Sequence, residues 1–113
     1  MVRKENGPRY FILVGDRPNW ETAIEKKIWG FTENARGFWN TIEIGDLLAF
    51  YSTVPIKKIF GFAKITDKFK EDKLVWNDEK IFKRALWPFR IRFEILNLQS
   101  RIRTWLLRRI SGL

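Results

Sequence analysis

The chain has neither histidine nor cysteine, and this double absence does more to define its chemistry than any residue it carries. Without them there is no Ser–His or Cys–His nucleophilic pair, no disulfide and no usual zinc site. Carboxylate or Ser–Lys chemistry stays formally open, so composition argues against an enzyme without forbidding one. Neither G-x-x-x-x-G-K-[ST] nor G-x-G-x-x-G occurs, so no phosphate-cradling loop is present and no cofactor is called for. A nucleotide-driven motor, if one works with this chain, sits elsewhere. What the chain has in abundance is flat rings and positive charge: six Trp, ten Phe and two Tyr beside twenty-two Lys and Arg. Rings stack on planar groups and cationic side chains hold phosphates, which together is the chemistry of nucleic-acid binding.

The placement of charge strengthens that reading. Of a net +9, the segment Lys80–Leu113 carries +8, with nine basic residues against the single acid Glu94. Residues 1–79 are nearly balanced, with thirteen basic and twelve acidic residues. The excess includes Arg90, Arg92, Arg101, Arg103, Arg108 and Arg109, a concentration whose natural partner is a polyanion. The plainer alternative is a solvated face, or the charge-rich surface of a thermophile.

The elements that must position these groups fit one domain of 113 residues, whose 45% hydrophobic content suffices for a core. Residues 1–8 read as a flexible tail and residues 9–113 as the domain. The longest apolar run, Leu47–Tyr51, is strand-sized, and the first eight residues lack an apolar signal region. A cytoplasmic protein with no membrane partner is therefore expected. Arg9–Gly15 reads as a strand buried on both faces. Asn19 is an N-cap candidate for a helix reaching about Lys27, with Trp20, Ala23 and Ile24 on one face. Ile28–Phe31 is a short strand or extended exit, and Ala35–Thr41 a turn or short helix. Leu47–Thr53 and Ile59–Ile65 are further strands, with Gly61 placed for a bulge or a close backbone approach. Lys68–Asp72 reads as a polar loop, Leu74–Trp76 as a possible short strand and Asn77–Arg84 as a loop or brief helix. Phe89–Leu96 alternates strictly, with Phe89, Ile91, Phe93 and Ile95 opposite Arg90, Arg92 and Glu94. Residues 97–113 complete the domain as a basic C-terminal helix, amphipathic over Arg101–Ile110. Five or six strands with peripheral helices give an α+β fold built on a curled, barrel-like mixed sheet.

Several stretches in order resemble the EVE domain of the PUA-like superfamily: Tyr10–Gly15 followed by Asn19-Trp20-Glu21, then Ile28-Trp29-Gly30-Phe31, then Ile44-Gly45-Asp46-Leu47-Leu48-Ala49-Phe50-Tyr51-Ser52. Phe60-Gly61-Phe62-Ala63-Lys64-Ile65 and Trp87-Pro88-Phe89-Arg90 fit the same pattern, so the likeness covers about residues 9–96. The opening is also similar to that of YTH domains, which read methylated adenine in RNA through an aromatic cage. EVE domains occur beside modification-dependent restriction enzymes of the McrBC type. The resemblance departs in two places: EVE domains often carry a longer C-terminal segment, and YTH domains a polar amide where this chain has Asp16.

The resemblance implies a reader that flips a modified base into a pocket. Such a pocket needs aromatic walls, each contributing about 1–3 kcal/mol per stacked base, and one or two polar groups for the base edge. Trp29 matches the cage tryptophan of YTH domains; as a bare residue it reads as a core ring at a strand end. Trp76, flanked by Asp72, Lys73, Asn77 and Asp78, is the second wall, a surface or pocket ring whose loss should cost little stability. Asp16 could accept from the exocyclic amine of adenine or cytosine, or simply form the Gly-Asp-Arg-Pro turn. Trp20 belongs to the candidate pocket, though it also suits helix packing, and Tyr51 and Ser52 could supply hydroxyl or backbone groups. Trp39, Trp87 and Trp105 fall to packing or rim, and Asp46 to a turn. Arg17, Lys83, Arg84, Arg90 and Arg92 are candidates for phosphates.

The leading function is thus a non-enzymatic module recognising a modified, methylated base. DNA is favoured as the partner, with a fused or associated AAA+ motor and nuclease. The alternative is a PUA-like domain gripping structured or modified RNA, and a third reading is a small hydrolase of the related ASCH type.

Overall fold

The computed structural model describes residues 7–54 and 56–99; the helix expected over Arg101–Ile110 lies outside them. Five strands form one mixed sheet in the order β1-β3-β4-β5-β2. They are β1 (Tyr10–Gly15), β2 (Ile28–Phe31), β3 (Leu47–Ser52), β4 (Lys58–Lys70) and β5 (Phe89–Leu98). Helix α1 (Arg17–Lys26) joins β1 to β2, α2 (Arg36–Thr41) precedes β3, and α3 (Asn77–Phe82) lies between β4 and β5. Strand β1 runs parallel to β3, and every other pairing is antiparallel. The fold is the α+β curled sheet that the sequence predicts. No helix among the described residues is long and apolar enough to cross a membrane.

Strand β1 is buried on one face only, contrary to expectation. Leu13 is buried, whereas Tyr10 and Val14 are 76% and 57% exposed and Ile12 is equally open. Its place at the sheet edge explains this, because the packed side of the sheet takes only alternate residues. Helix α1 begins earlier than Asn19: Asp16 is the N-cap, accepting from the Asn19 amide at 3.0 Å, and Pro18 sits in the first turn. Proline suits that position because its missing N–H has no helical partner there. The helix ends as Lys27 turns left-handed at φ 60° and its amide donates to Ala23. Strand β4 runs through to Lys70, so Lys68, Phe69 and Lys70, at the start of the expected polar loop, pair instead with Ile91, Arg90 and Phe89 of β5. Here cross-strand pairing overrides a polar local composition. Residues 74–76 form no strand.

The core lies under the concave side of the sheet. Trp20 and Ile24 of α1 pack among Leu48, Phe50, Phe60, Ile65, Ile91 and Phe93, all buried. Trp20 is its centre: the ring stacks on Trp29 at 4.2 Å, lies 4.6 Å from Phe50, and meets Phe60 edge-on at 5.1 Å. Its indole N–H donates to the Tyr51 carbonyl at 2.9 Å, so the one polar atom of the ring is satisfied. Gly61 permits the expected close approach, since a Cβ there would stand 2.9 Å from the Asn97 carbonyl oxygen. Phe50→Ala should cost about 3–5 kcal/mol through the cavity it leaves, whereas Ile12→Thr on the open face should stay within about 0.5 kcal/mol. Chemical denaturation of the two variants tests which side of the sheet holds the core.

Candidate functional site

Strands β1 and β2 are the two outer strands of the sheet, yet the curl brings their ends together. A Cβ on Gly15, at the end of β1, would stand 2.5 Å from Cη2 of Trp29 on β2. Only glycine lets the two edges approach so closely. Beside this junction opens a cavity of about 350 Å³, lined by Val14, Gly15, Asp16, Asn19, Trp29, Gly30, Thr53, Trp76 and Trp87. Gly30 is its second enabling residue, because a Cβ there would meet the Trp87 carbonyl oxygen at 2.7 Å and the Trp76 ring at 3.2 Å. Three tryptophans and two short polar side chains at the start of α1 thus share one concavity. Trp76 and Trp87 meet edge-to-face at 5.7 Å, and Trp29 is backed by the buried face of Trp20.

A buried ion pair holds the second and third walls. Glu79, in α3, and Arg90, in β5, both have 0% exposed side chains and meet at 3.2 Å. The Glu79 carboxylate accepts from the amides of Val75 (2.9 Å) and Trp76 (3.3 Å) on one side of α3. On the other side it accepts from Leu86 (3.0 Å) and Trp87 (3.1 Å). Arg90 completes the frame by donating to the carbonyls of Trp87 at 2.9 Å and Lys73 at 2.6 Å and to Glu71 at 2.8 Å. Its guanidinium also lies over the Trp76 ring, 5.3 Å from the centroid. One carboxylate and one guanidinium therefore fix the backbone of both ring-bearing residues.

Of the sequence-derived pocket residues, Trp29, Trp76 and Asp16 are brought together. Trp20, Tyr51 and Ser52 do not line the cavity: Trp20 is wholly buried behind Trp29, Tyr51 contributes its carbonyl to Trp20, and Ser52 faces the core. Trp76 is not the surface ring its polar neighbours suggest. It is only 2% exposed, so its removal should cost stability as well as a wall. Among the phosphate candidates, Arg90 is excluded by its burial and its five protein contacts. The strand alternation misplaces it because residues 71–88 cover the polar face of β5 just there. Arg92 is exposed, with its guanidinium over the Phe69 ring at 5.1 Å. Lys83 and Arg84 are exposed after α3, and Arg17 is engaged by Glu21 at 3.0 Å. Sequence reasoning missed Gly15, Gly30, Asn19, Thr53 and Glu79 and set Trp87 at the rim. The two glycines, each adjoining a strand residue of the aromatic pattern, were the available signal. Asp46, read as a turn residue, is buried and accepts from the amides of Arg9 and Glu43.

No family model and no curated protein matches the chain. Solved structures do. Over 90% of its length it matches 68% of the YTH domain-containing protein mmi1, solved in complex with RNA, at 16% identity and a TM-score of 0.58. The Pho92 YTH domain, solved in complex with m6A, matches 87% of this chain over 64% of its own, at 13% identity and a TM-score of 0.56. The YTH domain of Zygosaccharomyces rouxii MRB1, solved with N6-methyladenosine RNA, matches 89% over 67%, at 16% identity and 0.53. The fold is YTH-like, and the chain spans about two thirds of the length of those chains.

Glu79→Gln preserves size but removes the negative charge facing Arg90 and one acceptor oxygen. It should destabilise the protein by about 3–5 kcal/mol, as breaking one partner of a buried pair does. The double variant Glu79→Gln/Arg90→Met should lose less than the sum of the single losses. Urea unfolding of all four species measures that coupling.

Proposed function

We propose that this domain is a non-enzymatic nucleic-acid reader that takes one flipped, methylated base between Trp29, Trp76 and Trp87. The observation that carries the reading is the tryptophan-lined cavity with Asp16, Asn19 and Thr53 at its polar edge. Its volume of about 350 Å³ falls at the small end of the ligand-pocket range of about 300–1,000 Å³. Three large rings reward an added methyl through close apolar contact, a gain of about 1–3 kcal/mol. Asp16 uses Oδ1 to cap α1, and its second oxygen is suited to accept the N–H that a singly methylated exocyclic amine retains. Lys83, Arg84 and Arg92 would hold flanking phosphates without reading sequence.

RNA is the first partner to test, because the similar solved structures are RNA or m6A complexes. The EVE-like reading, DNA targeting for a restriction motor and nuclease, is the second; it rests on the ordered sequence stretches. Matched RNA and DNA single strands, each with and without N6-methyladenine and compared at one salt concentration, separate them. Preference for the methylated strand in neither series would remove the base-reading proposal.

Trp29→Ala should abolish the preference for the methylated strand and leave weak, salt-dependent binding. Its Tm should fall less than that of Phe50→Ala, since Trp29 is only half-buried. Loss of all binding together with the fold would instead make Trp29 a core residue. Arg92→Ala should lower affinity evenly for both strands and reduce the slope of log K against log salt by about one.

A further inference from the structure

Helix α3 bridges two of the three tryptophans: Trp76 caps its start, and Trp87 follows four residues after its capping residue Lys83. With Glu79 bound to amides at both ends, the segment between is a clamped loop, not a free one. Its tip nevertheless presents apolar side chains to water. Ile81 is 62% exposed and Phe82 is 65% exposed. Lys80, Lys83 and Arg84 surround them, all exposed. Among the described residues the Phe82 ring has no aromatic or cationic partner, unlike the rings of Phe11, Phe69 and Phe89.

We propose that Phe82 is a stacking platform for a nucleotide two or three positions from the flipped one, with Lys83 and Arg84 holding the phosphates on either side. The proposal rests on the base-pocket reading for its register. An exposed ring set among cations suits a strand that is polyanionic along its backbone and flat along its bases. An apolar protein surface would complement the ring and leave the three charges without partners. The spacing also fits. Six helical residues carry Phe82 about 9 Å along the axis from Trp76, and a stacked strand rises about 3.4 Å per nucleotide. A base two or three positions from the flipped one therefore reaches the ring. The clamp matters too, because a platform fixed before binding loses little freedom when a base settles on it.

Calorimetry at fixed salt would compare two probes on wild-type protein, Phe82→Ala and Phe82→Trp. The probes are N6-methyladenosine 5′-monophosphate and single-stranded RNA heptamers with a central adenosine, methylated or not. Phe82→Ala should weaken heptamer binding on the order of tenfold, the equivalent of one lost base stack, and leave mononucleotide affinity unchanged. Phe82→Trp should restore heptamer binding. Heptamer affinity unchanged in Phe82→Ala, or an equal loss for the mononucleotide, overturns the platform. The base-pocket reading fails separately: wild-type protein would then bind both heptamers equally, and a Phe82→Ala loss on the unmethylated heptamer would still uphold the platform. Wild-type protein that binds neither heptamer overturns both.

Discussion

The burial of one carboxylate against one guanidinium is the constraint on which the site depends. Removing two charges from water is expensive, and an apolar pair of equal volume is often as stable. Glu79 and Arg90 nevertheless do something no apolar pair can. Residues 71–88 include a short helix with unpaired amides at its start and a loop with unpaired amides after it. Four of those amides find their acceptor in a single side chain, and the carbonyls of Lys73 and Trp87 find their donor in another. The pair stands in for a sheet ladder where there is no sheet. Two tryptophans are thereby held on backbone as firmly fixed as that of a strand.

Sheet curl supplies the other half of the site. Strand order places β1 and β2 at opposite edges with three strands between them, and an untwisted sheet would hold them far from each other. The bulges in β4, at Phe62/Ala63 and Ile65/Asp67, sit where the sheet must bend. Bending turns two edges into neighbours, and α1 spans the gap with its N-terminus, Asp16 and Asn19, at the cavity. The cavity is thus a seam in an incompletely closed barrel, and its polar side chains come from the turn that crosses the seam.

How much of this the sequence disclosed follows from which interactions are local. The face of α1, the strands at Ile28–Phe31 and Leu47–Ser52 and the alternation of β5 beyond Ile91 are readable because local pattern and partner coincide. Trp29 and Asp16 were identifiable through an aromatic pattern and a turn. Glu79 was not, because its partners lie up to eleven residues away and nothing in Asn-Asp-Glu-Lys distinguishes a buried acid from a solvated one. The same interaction misdirected the readings of Trp76 and Arg90: a charged neighbourhood signals solvent unless its charges are already spent on one another. Residues 68–70 lie in a polar stretch yet continue a strand, since the register with β5, and no property of their own, decides their state.

One further consequence lies in the pairing of β2. Among the described residues its four residues pair with β5 and with no other strand, Ile28 lying opposite Arg92. During synthesis from the N-terminus, β1, α1 and β3 can be complete while β2 still waits for a partner that lies some sixty residues further along the chain. Trp29 and Trp20 emerge early, as bulky rings with half of their surroundings not yet made. Trp29 thus gains its strand partner only once β5 has been made, and a nascent chain halted before Phe89 leaves the strand that carries this indole with an open edge.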